Sequence, residues 1–510
     1  MGVKKNIIKK DNYRDSVFLM HIASELEQRK DIISVSLMMG TPANKEVLEN
    51  TGLLTDTGKT AGVNDLIIAV HAENETSIDT FLDELKSSLS RKPATGTSEV
   101  SRCRTLDNAL NELPDATLAL ISVPGIFASR EALKALDRGL NVMIFSDNVP
   151  IEEEAMLKRT ASERGLLVMG PDCGTAIING VPLGFANRIP HGDIGLSAAS
   201  GTGLQEVIAA IAKTGSGITQ AFGTGGRDLS CDIGGITMLS SLKYLIDDPK
   251  TKVIVLVSKP PDPAVSEKII GKVRNCGKPV VICFIGQMSS LHEDNIYFTQ
   301  TLESAGTTAA WLSQRQEPVP AVNHEDWPEG LLFNARERCL PPQKFIRGIY
   351  AGGTLCDEAI VILQNHGMEI YSNNAVSGAV LLINPHKSIK HTMIDMGADE
   401  FTRGRPHPMI DPESRNRRIL AEAEDDETAL ILFDIVLGYG SHPDPAGALK
   451  KTLAKINSRK VLVASICGTT MDPQNYTRQS DILKQNGVIL MPSNAQAAEF
   501  AAHVIRRTDA

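Results

Sequence analysis

Four runs of small residues in this sequence join glycine to hydroxyl or charged side chains where apolar strands give way to helical patterns. Ser200-Gly201-Thr202-Gly203 precedes apolar residues at Leu204, Val207, Ile208 and Ile211. Gly223-Thr224-Gly225-Gly226 runs into Arg227 and Asp228, and Ala351-Gly352-Gly353-Thr354 and Leu437-Gly438-Tyr439-Gly440-Ser441-His442 follow later in the chain. A helix start leaves backbone N–H groups without intrahelical partners at the positive end of the helix dipole. Glycine lets an anion reach that backbone, and hydroxyls add donors. The expected phosphate-binding set is therefore Ser200, Gly201, Thr202, Gly225, Gly226, Arg227, Gly352, Gly353, Thr354, Gly438, Gly440 and Ser441. One such turn alone serves α/β packing equally well; the repetition favours a ligand.

Charged groups near these turns suggest what would be done to the anion. Lys259, in Ser258-Lys-Pro-Pro261, and Arg227 supply positive charge. Arg405-Pro-His407-Pro adds a guanidinium able to grip a carboxylate or phosphate at two points and an imidazole able to shuttle a proton. Lys259, Arg405 and His407 are the expected catalytic residues, although an Arg/His pair that merely caps a loop accounts for the last two equally well. His442 is a weaker candidate of the same kind. Asp395 and Asp399 can face a substrate ammonium or a metal, yet loop carboxylates are more often solvated. Cys173 and Cys467, at strand ends, fit inert buried thiols better than nucleophiles. No Ser-His-Asp order and no metal-ligand cluster stands out, so no metal is expected.

The elements that must position these residues alternate between strand and helix. In residues 1–93, 32–39 and 65–70 read as strands and 13–28 and 75–90 as helices, which makes a small α/β or α+β domain. Its turn Gly40-Thr-Pro-Ala-Asn44-Lys45 reads as a connector. Residues 92–102 are a small, polar linker. Residues 103–190 place apolar strands at 118–123, 141–146 and 166–169, joined by helices, the pattern of a parallel sheet covered on both faces. Residues 191–315 and 344–505 repeat that rhythm on either side of a second linker, 316–343. In such sheets ligands bind at the carboxyl ends of the strands, where the glycine turns lie.

The bulk numbers describe an ordinary soluble globular protein. A chain of 510 residues suggests three or four domains, and 42% hydrophobic with 22% charged residues is ordinary globular composition. The net charge of −9 gives no support for nucleic-acid binding. The 8 cysteines form no Cys-x-x-Cys pair and suit a reducing cytosol. No apolar leader follows the first residues and no stretch is long enough for a membrane span, so a cytoplasmic protein without membrane contact is expected.

Several stretches resemble succinyl-CoA synthetase: Gly170-Pro-Asp-Cys-Gly174, Ser197-Ala-Ala-Ser-Gly-Thr202 and Gly223-Thr-Gly-Gly226 are similar to its α subunit. Ala351-Gly-Gly-Thr354, Met393-Ile-Asp-Met-Gly397 and Leu437-Gly-Tyr-Gly440 are similar to the ligase domain of its β subunit. The order of parts resembles the FdrA family of proteins labelled acyl-CoA synthetases. Met38–Lys45, Phe145–Asn148, Arg227–Ser230, Ser258–Pro261 and Arg405–Asp411 are similar to segments of that family. The resemblance implies a multidomain α/β fold: a Rossmann-like CoA-binding-type domain at 103–190, flavodoxin-like ligase domains at 191–315 (α-type) and 344–505 (β-type), and the small N-terminal domain.

The departures from the synthetase shape the expected chemistry. The loop in which that enzyme carries a phosphohistidine reads Gly286-Gln-Met-Ser-Ser-Leu-His292 here, without the glycine setting, so the role is not carried over to His292. A glutamate that would hold the phosphohistidine is replaced by Lys259. The Gly-rich CoA loop is not recognisable in the second domain, and there is no ATP-grasp domain, so CoA is an open cofactor, with phosphate or carbamoyl phosphate as substrate. The resemblance implies an enzyme subunit that moves an acyl or carbamoyl group to or from phosphate, for some members between carbamoyl phosphate and oxamate, working with other subunits and as a homo-oligomer. The alternatives are a CoA ligase whose nucleotide step another chain supplies, and a non-catalytic scaffold or ligand sensor.

Overall fold

The computed structural model describes residues 2–12, 31–90, 103–287, 295–314, 330–374, 378–403, 405–456 and 460–506, with single positions 19, 22, 23, 26, 29, 327, 328 and 376. They form two compact units, residues 1–102 with 398–407, and residues 103–397 with 408–510.

In the first unit β1 (Val3–Lys9) and β2 (Ile32–Met39) flank β3 (Leu66–Ala72), each antiparallel to it. β3 is apolar at almost every position and accordingly takes the centre. The helix Glu75–Ser90 lays Ile78, Phe81, Leu85 and Leu89 on the sheet at helical spacing. The antiparallel pairing makes this unit α+β. β1, absent from the sequence reading, completes it. Most of the helix read over 13–28 and the whole linker 92–102 lie outside the described residues. Of that helix, Leu19, Ile22 and Leu26 are described and buried in this core.

The second unit opens with a parallel sheet, β4 (Leu118–Ile121), β5 (Asn141–Ile144) and β6 (Val168–Met169), in that order. β7 (Thr175–Ile178) and β8 (Val181–Gly184) form a hairpin that pairs with β10 (Ile218–Gly223). The hairpin thus belongs to the next sheet, although it lies within the stretch 103–190. That sheet runs β13-β12-β11-β9-β10-β7-β8, with β9 (His191–Ala199), β11 (Val253–Ser258), β12 (Val280–Phe284) and β13 (Ile296–Phe298). Its parallel part, β10-β9-β11-β12-β13, has the flavodoxin-like order 2-1-3-4-5.

The last sheet runs β16-β15-β17-β14-β18-β19-β20. Its strands are β14 (Phe345–Tyr350), β15 (Ile370–Ser372), β16 (Val380–Leu381), β17 (His391–Asp395), β18 (Thr428–Val436), β19 (Val461–Cys467) and β20 (Ile489–Met491). With β15 and β16 set aside beyond β17, the order is again flavodoxin-like. The stretch 316–343 is not all linker: Leu331–Arg338 is helical.

The helices Gly201–Lys213 and Leu302–Ser313 pack on the middle sheet, and Gly353–Asn365 and Asn494–Ile505 on the last one, and the two pairs pack on each other. One apolar core runs through this layer, from Leu196 and Val255 through Val207 and Leu355 to Leu432 and Val463. The approach is close enough to require Gly306, where a Cβ would lie 2.5 Å from the Ala210 Cβ.

Candidate functional site

The Gly201 helix follows β9 and the Gly353 helix follows β14, each the central strand from which its sheet winds both ways. Ser200 caps the first helix, its Oγ accepting from the Gly203 N–H at 3.0 Å. The same Oγ lies 2.6 Å from Thr354 Oγ1, and the Thr354 N–H donates to Thr202 Oγ1 at 3.3 Å. The expected anion-binding starts of the two modules therefore meet in one seam, with Ser200, Gly201, Thr202, Gly353 and Thr354 together.

Lys259, immediately after β11, stands on one side of this seam. Its ammonium pairs with Asp357 of the Gly353 helix at 2.7 Å, the lysine side chain 36% exposed and the carboxylate fully buried. Asn374 Nδ2 donates to the other oxygen of Asp357 at 2.8 Å. Asp395 closes β17. Its carboxylate accepts from the Gly397 N–H at 2.8 Å and lies so near the Gly353 helix that a Cβ on Gly353 would be 2.5 Å from it. The Asn373 side chain holds the Asp395 backbone on both sides, at 2.9 and 3.0 Å. Burial raises Asp395 to about 7, against the pull of Lys259 and with a further push from Asp357. Burial also raises Asp357, opposed by Lys259, while at Lys259 the field and hydrogen bond of Asp357 outweigh desolvation and raise the ammonium's pKa. The cluster thus holds a cation, hydroxyls and a carboxyl poised to exchange a proton near neutrality.

Close backbone contacts tie the two modules together at the Leu437–Gly438 turn. Gln205, one residue before the place on its helix that corresponds to Glu358, donates to the Leu437 carbonyl at 3.2 Å and to the Phe185 carbonyl. A Cβ on Gly438 would lie 2.8 Å from the Phe185 and Ala186 carbonyls, and the Gly438 N–H donates to Gln474 at 3.1 Å. Asn187 ties Leu437 and Asp472 together at 3.1 and 2.8 Å. Gly438, Gly440 and Ser441 therefore stand in a docking turn.

A carboxylate of the chain itself takes two N–H groups just before the Gly353 helix, and another, next to the Gly225 turn, holds a neighbouring helix start. Asp434, buried in β18, accepts from the Ala351 and Gly352 N–H groups at 2.7 Å each and pairs with Arg415 at 3.2 Å. Asp228 accepts from Thr237 and Met238 at the start of the helix Ile236–Asp247, at 3.2 and 2.9 Å, and pairs with buried Lys158 at 2.8 Å. Arg227 turns to Glu154 and the Val149 carbonyl, at 2.8 and 2.7 Å. Gly225, at φ 89°, and Gly226 lie in that turn, where a Cβ on Gly225 would be 2.4 Å from the Pro171 carbonyl.

Arg405 and His407 belong to the first unit, with Asp399, and Arg405 is exposed. His442 Nδ1 accepts from the Asp444 N–H at 3.0 Å. Cys173 is pushed up to about 12 by burial and Cys467 is likewise raised, as inert thiols would be. His292 lies outside the described residues. Asp357, Asn373 and Asn374 were missed in the sequence, although Asp357 stands four residues after Gly353, where one helical turn brings it beside the helix start.

Two doubly wound modules joined through their helix starts define a protein of the CoA-ligase type. The CoA-ligase family model matches residues 349–504, and the CoA binding domain model matches 191–286, on the module of the middle sheet rather than on 103–190. The chain belongs to the FdrA family: it is 41% identical over 510 residues, 98% of each chain, to the uncharacterized protein YahF of Escherichia coli. It is 28% identical over 202 residues, 38% of this chain and 67% of the other, to the α subunit 1 of the ADP-forming succinate–CoA ligase of Archaeoglobus fulgidus. The apo structure of the dinucleotide-forming acetyl-coenzyme A synthetase 1 of Ca. Korarchaeum cryptofilum aligns with 81% of this chain and 87% of its own, at 15% identity and a TM-score of 0.33.

Residues 1–103 match a model described as AllF, heavy metal-associated domain. The residues do not fit that description's metal. The matched range holds one cysteine, Cys103 at its last position, and Met38 and Met39 are buried in β2 at 7% and 8% exposure, so the paired soft thiolate donors a heavy metal selects are missing.

Proposed function

We propose that this chain transfers an acyl-type group, carbamoyl among the candidates, to or from phosphate at the seam beside Lys259. The observation that carries the reading is the meeting of Ser200 and Thr354, 2.6 Å apart, next to the Lys259–Asp357 pair. The Lys259 ammonium and the Thr202 and Thr354 hydroxyls beside it are suited to the oxygens of a phosphoryl group and to the oxyanion that forms when its carbonyl is attacked. Asp395 is suited to exchanging a proton with the acceptor. A CoA ligase that draws its nucleotide step from another chain is the second reading, favoured by the CoA binding domain match on the module that carries Ser200 and Lys259.

The test is a parallel thermal-shift titration of the chain with carbamoyl phosphate, phosphate and CoA, followed by carbamoyl transfer to oxamate. A ligand bound only by the native state raises the melting temperature with concentration. Stabilisation by carbamoyl phosphate and phosphate, lost in Lys259→Met, is expected. Stabilisation by CoA alone would replace this reading with the ligase one.

A further inference from the structure

The end of the Gly353 helix remote from the seam carries a second cluster. His366 caps that helix, and Glu499 and His503 lie one turn apart on the Asn494 helix. Their ligand atoms all lie within 4.8 Å of one another. His366 Nε2 is 2.5 Å from Glu499 Oε2, and the His366 and His503 rings are 5.1 Å apart. Side-chain exposure is 14% at His366 and 20% at Glu499, so the group is sheltered yet open to an ion.

We propose that His366, Glu499 and His503 form a binding site for a divalent transition metal, with zinc or cobalt as the fitting class. Two imidazoles and a carboxylate are borderline ligands that these ions accept, with the remaining coordination left to water. The C-terminal end of a helix also favours a cation. Support for the site comes from outside the triad: Arg336 fixes the His503 carbonyl with two donors, at 3.1 and 2.6 Å, holding the end of the Asn494 helix in place.

Arg506 sets the state without metal. Its guanidinium lies 3.2 Å from His366 Nδ1, which must accept, so the imidazole proton sits on Nε2 and points at Glu499. Metal at Nε2 needs that proton on Nδ1 instead. Loading therefore moves the imidazole proton from Nε2 to Nδ1 and turns the exposed Arg506 away. Removing Arg506 lifts both this competition and a nearby positive charge.

The test uses the full, tag-free chain, stripped with chelator and titrated with Co2+ and with Zn2+. Trp327 reports directly, its ring being 5.1 Å from that of His503. One equivalent of Co2+ is expected to quench its fluorescence and to give a visible d–d band that Zn2+ displaces. Glu499→Gln and the pair His366→Ala with His503→Ala are expected to weaken binding at least tenfold with unchanged circular dichroism, while Arg506→Ala tightens it severalfold. Equal affinity in the wild type and both ligand variants would overturn the site. So would a wild type that takes up no Co2+ at micromolar concentration. These readouts do not involve transfer activity and stand apart from the reading of the seam.

Discussion

Glu206 and Glu358 hold equivalent places in the two modules of the second unit, and each caps a helix of the other module. Each stands five residues after the glycine that opens its helix, Gly201 or Gly353. Glu206 accepts from the Asn494 N–H at 3.1 Å, and Glu358 accepts from the Leu302 N–H at 2.7 Å and from Asn494 Nδ2 at 2.7 Å. Both carboxyls are fully buried, and burial raises both, Glu358 to about 7. Glu358→Ala leaves the buried Leu302 N–H without this acceptor, at a cost of roughly 1–3 kcal/mol, while Asn494 Nδ2 keeps its bond to the Leu355 carbonyl at 2.9 Å. The melting temperature of the second unit should fall by several degrees, while phosphate affinity measured well below the transition stays within a factor of about three. A collapse of affinity without loss of stability would place Glu358 in the ligand site instead of the module interface.

Lys259 and Asp357 separate charge from packing. Lys259→Met removes the cation and leaves a buried carboxylate with Asn374 alone. Transfer should fall by about two orders of magnitude or more, the scale of losing one donor to a developing oxyanion. The double variant Lys259→Met with Asp357→Asn removes the orphaned charge, so it should recover the melting temperature without recovering transfer. Recovery of both would reduce the pair to a structural tie.

Asp395 joins stability to chemistry with opposite signs. Its folded value, about 7, lies above the ordinary 3.8, so the folded chain keeps a proton that the unfolded chain gives up. Stability is therefore lost as pH rises from about 3.8 to about 7. Asp395→Asn abolishes that titration, and its amide oxygen still accepts from Gly397. At pH 8 the variant should melt several degrees higher than the wild type, and the advantage should vanish by pH 4. Transfer should fall by at least about a hundredfold if this carboxyl moves the proton. An Asn variant with wild-type turnover would remove Asp395 from the chemistry.

The strands and their parallel arrangement were legible because a parallel strand covered on both faces is a largely apolar run, while the doubly wound order was implied only by the family resemblance. Val253–Ser258 and Val280–Phe284 stand out in that way. The glycine turns were equally visible, but not what fills them. Asp434 lies inside an apolar strand and reaches Gly352 only once β18 and β14 are paired, so its claim on that helix start depends on tertiary structure. Gly438 looked like an anion turn, whereas its φ of 119° and the Phe185 carbonyl show the other use of glycine, close docking of backbone. Half of the His366 cluster was readable in the spacing of Glu499 and His503. The other half comes from a residue more than 130 positions away, 133 by sequence separation from Glu499.

His391 supplies an acid-sensitive contact at the start of β17. Its Nδ1 accepts from the Ile346 N–H at 3.2 Å, which requires that nitrogen to be unprotonated. Burial, followed by the charges of Arg347 and Lys390, holds its pKa near 4, below the ordinary 6.5. The unfolded chain therefore takes up a proton that the folded chain refuses, and this contribution to stability is intact above about pH 6.5 and lost as pH falls toward about 4. At pH 5 the loss is roughly 2 kcal/mol at 1.36 kcal/mol per unit. His391→Asn keeps an acceptor in place of the ring nitrogen and cannot titrate. Melting temperatures measured from pH 7.5 to pH 5 should fall less steeply in this variant, with the curves closest to each other at the alkaline end. Parallel curves would mean that the acid sensitivity of this sheet resides in Asp425, paired with Arg347, and not in the imidazole.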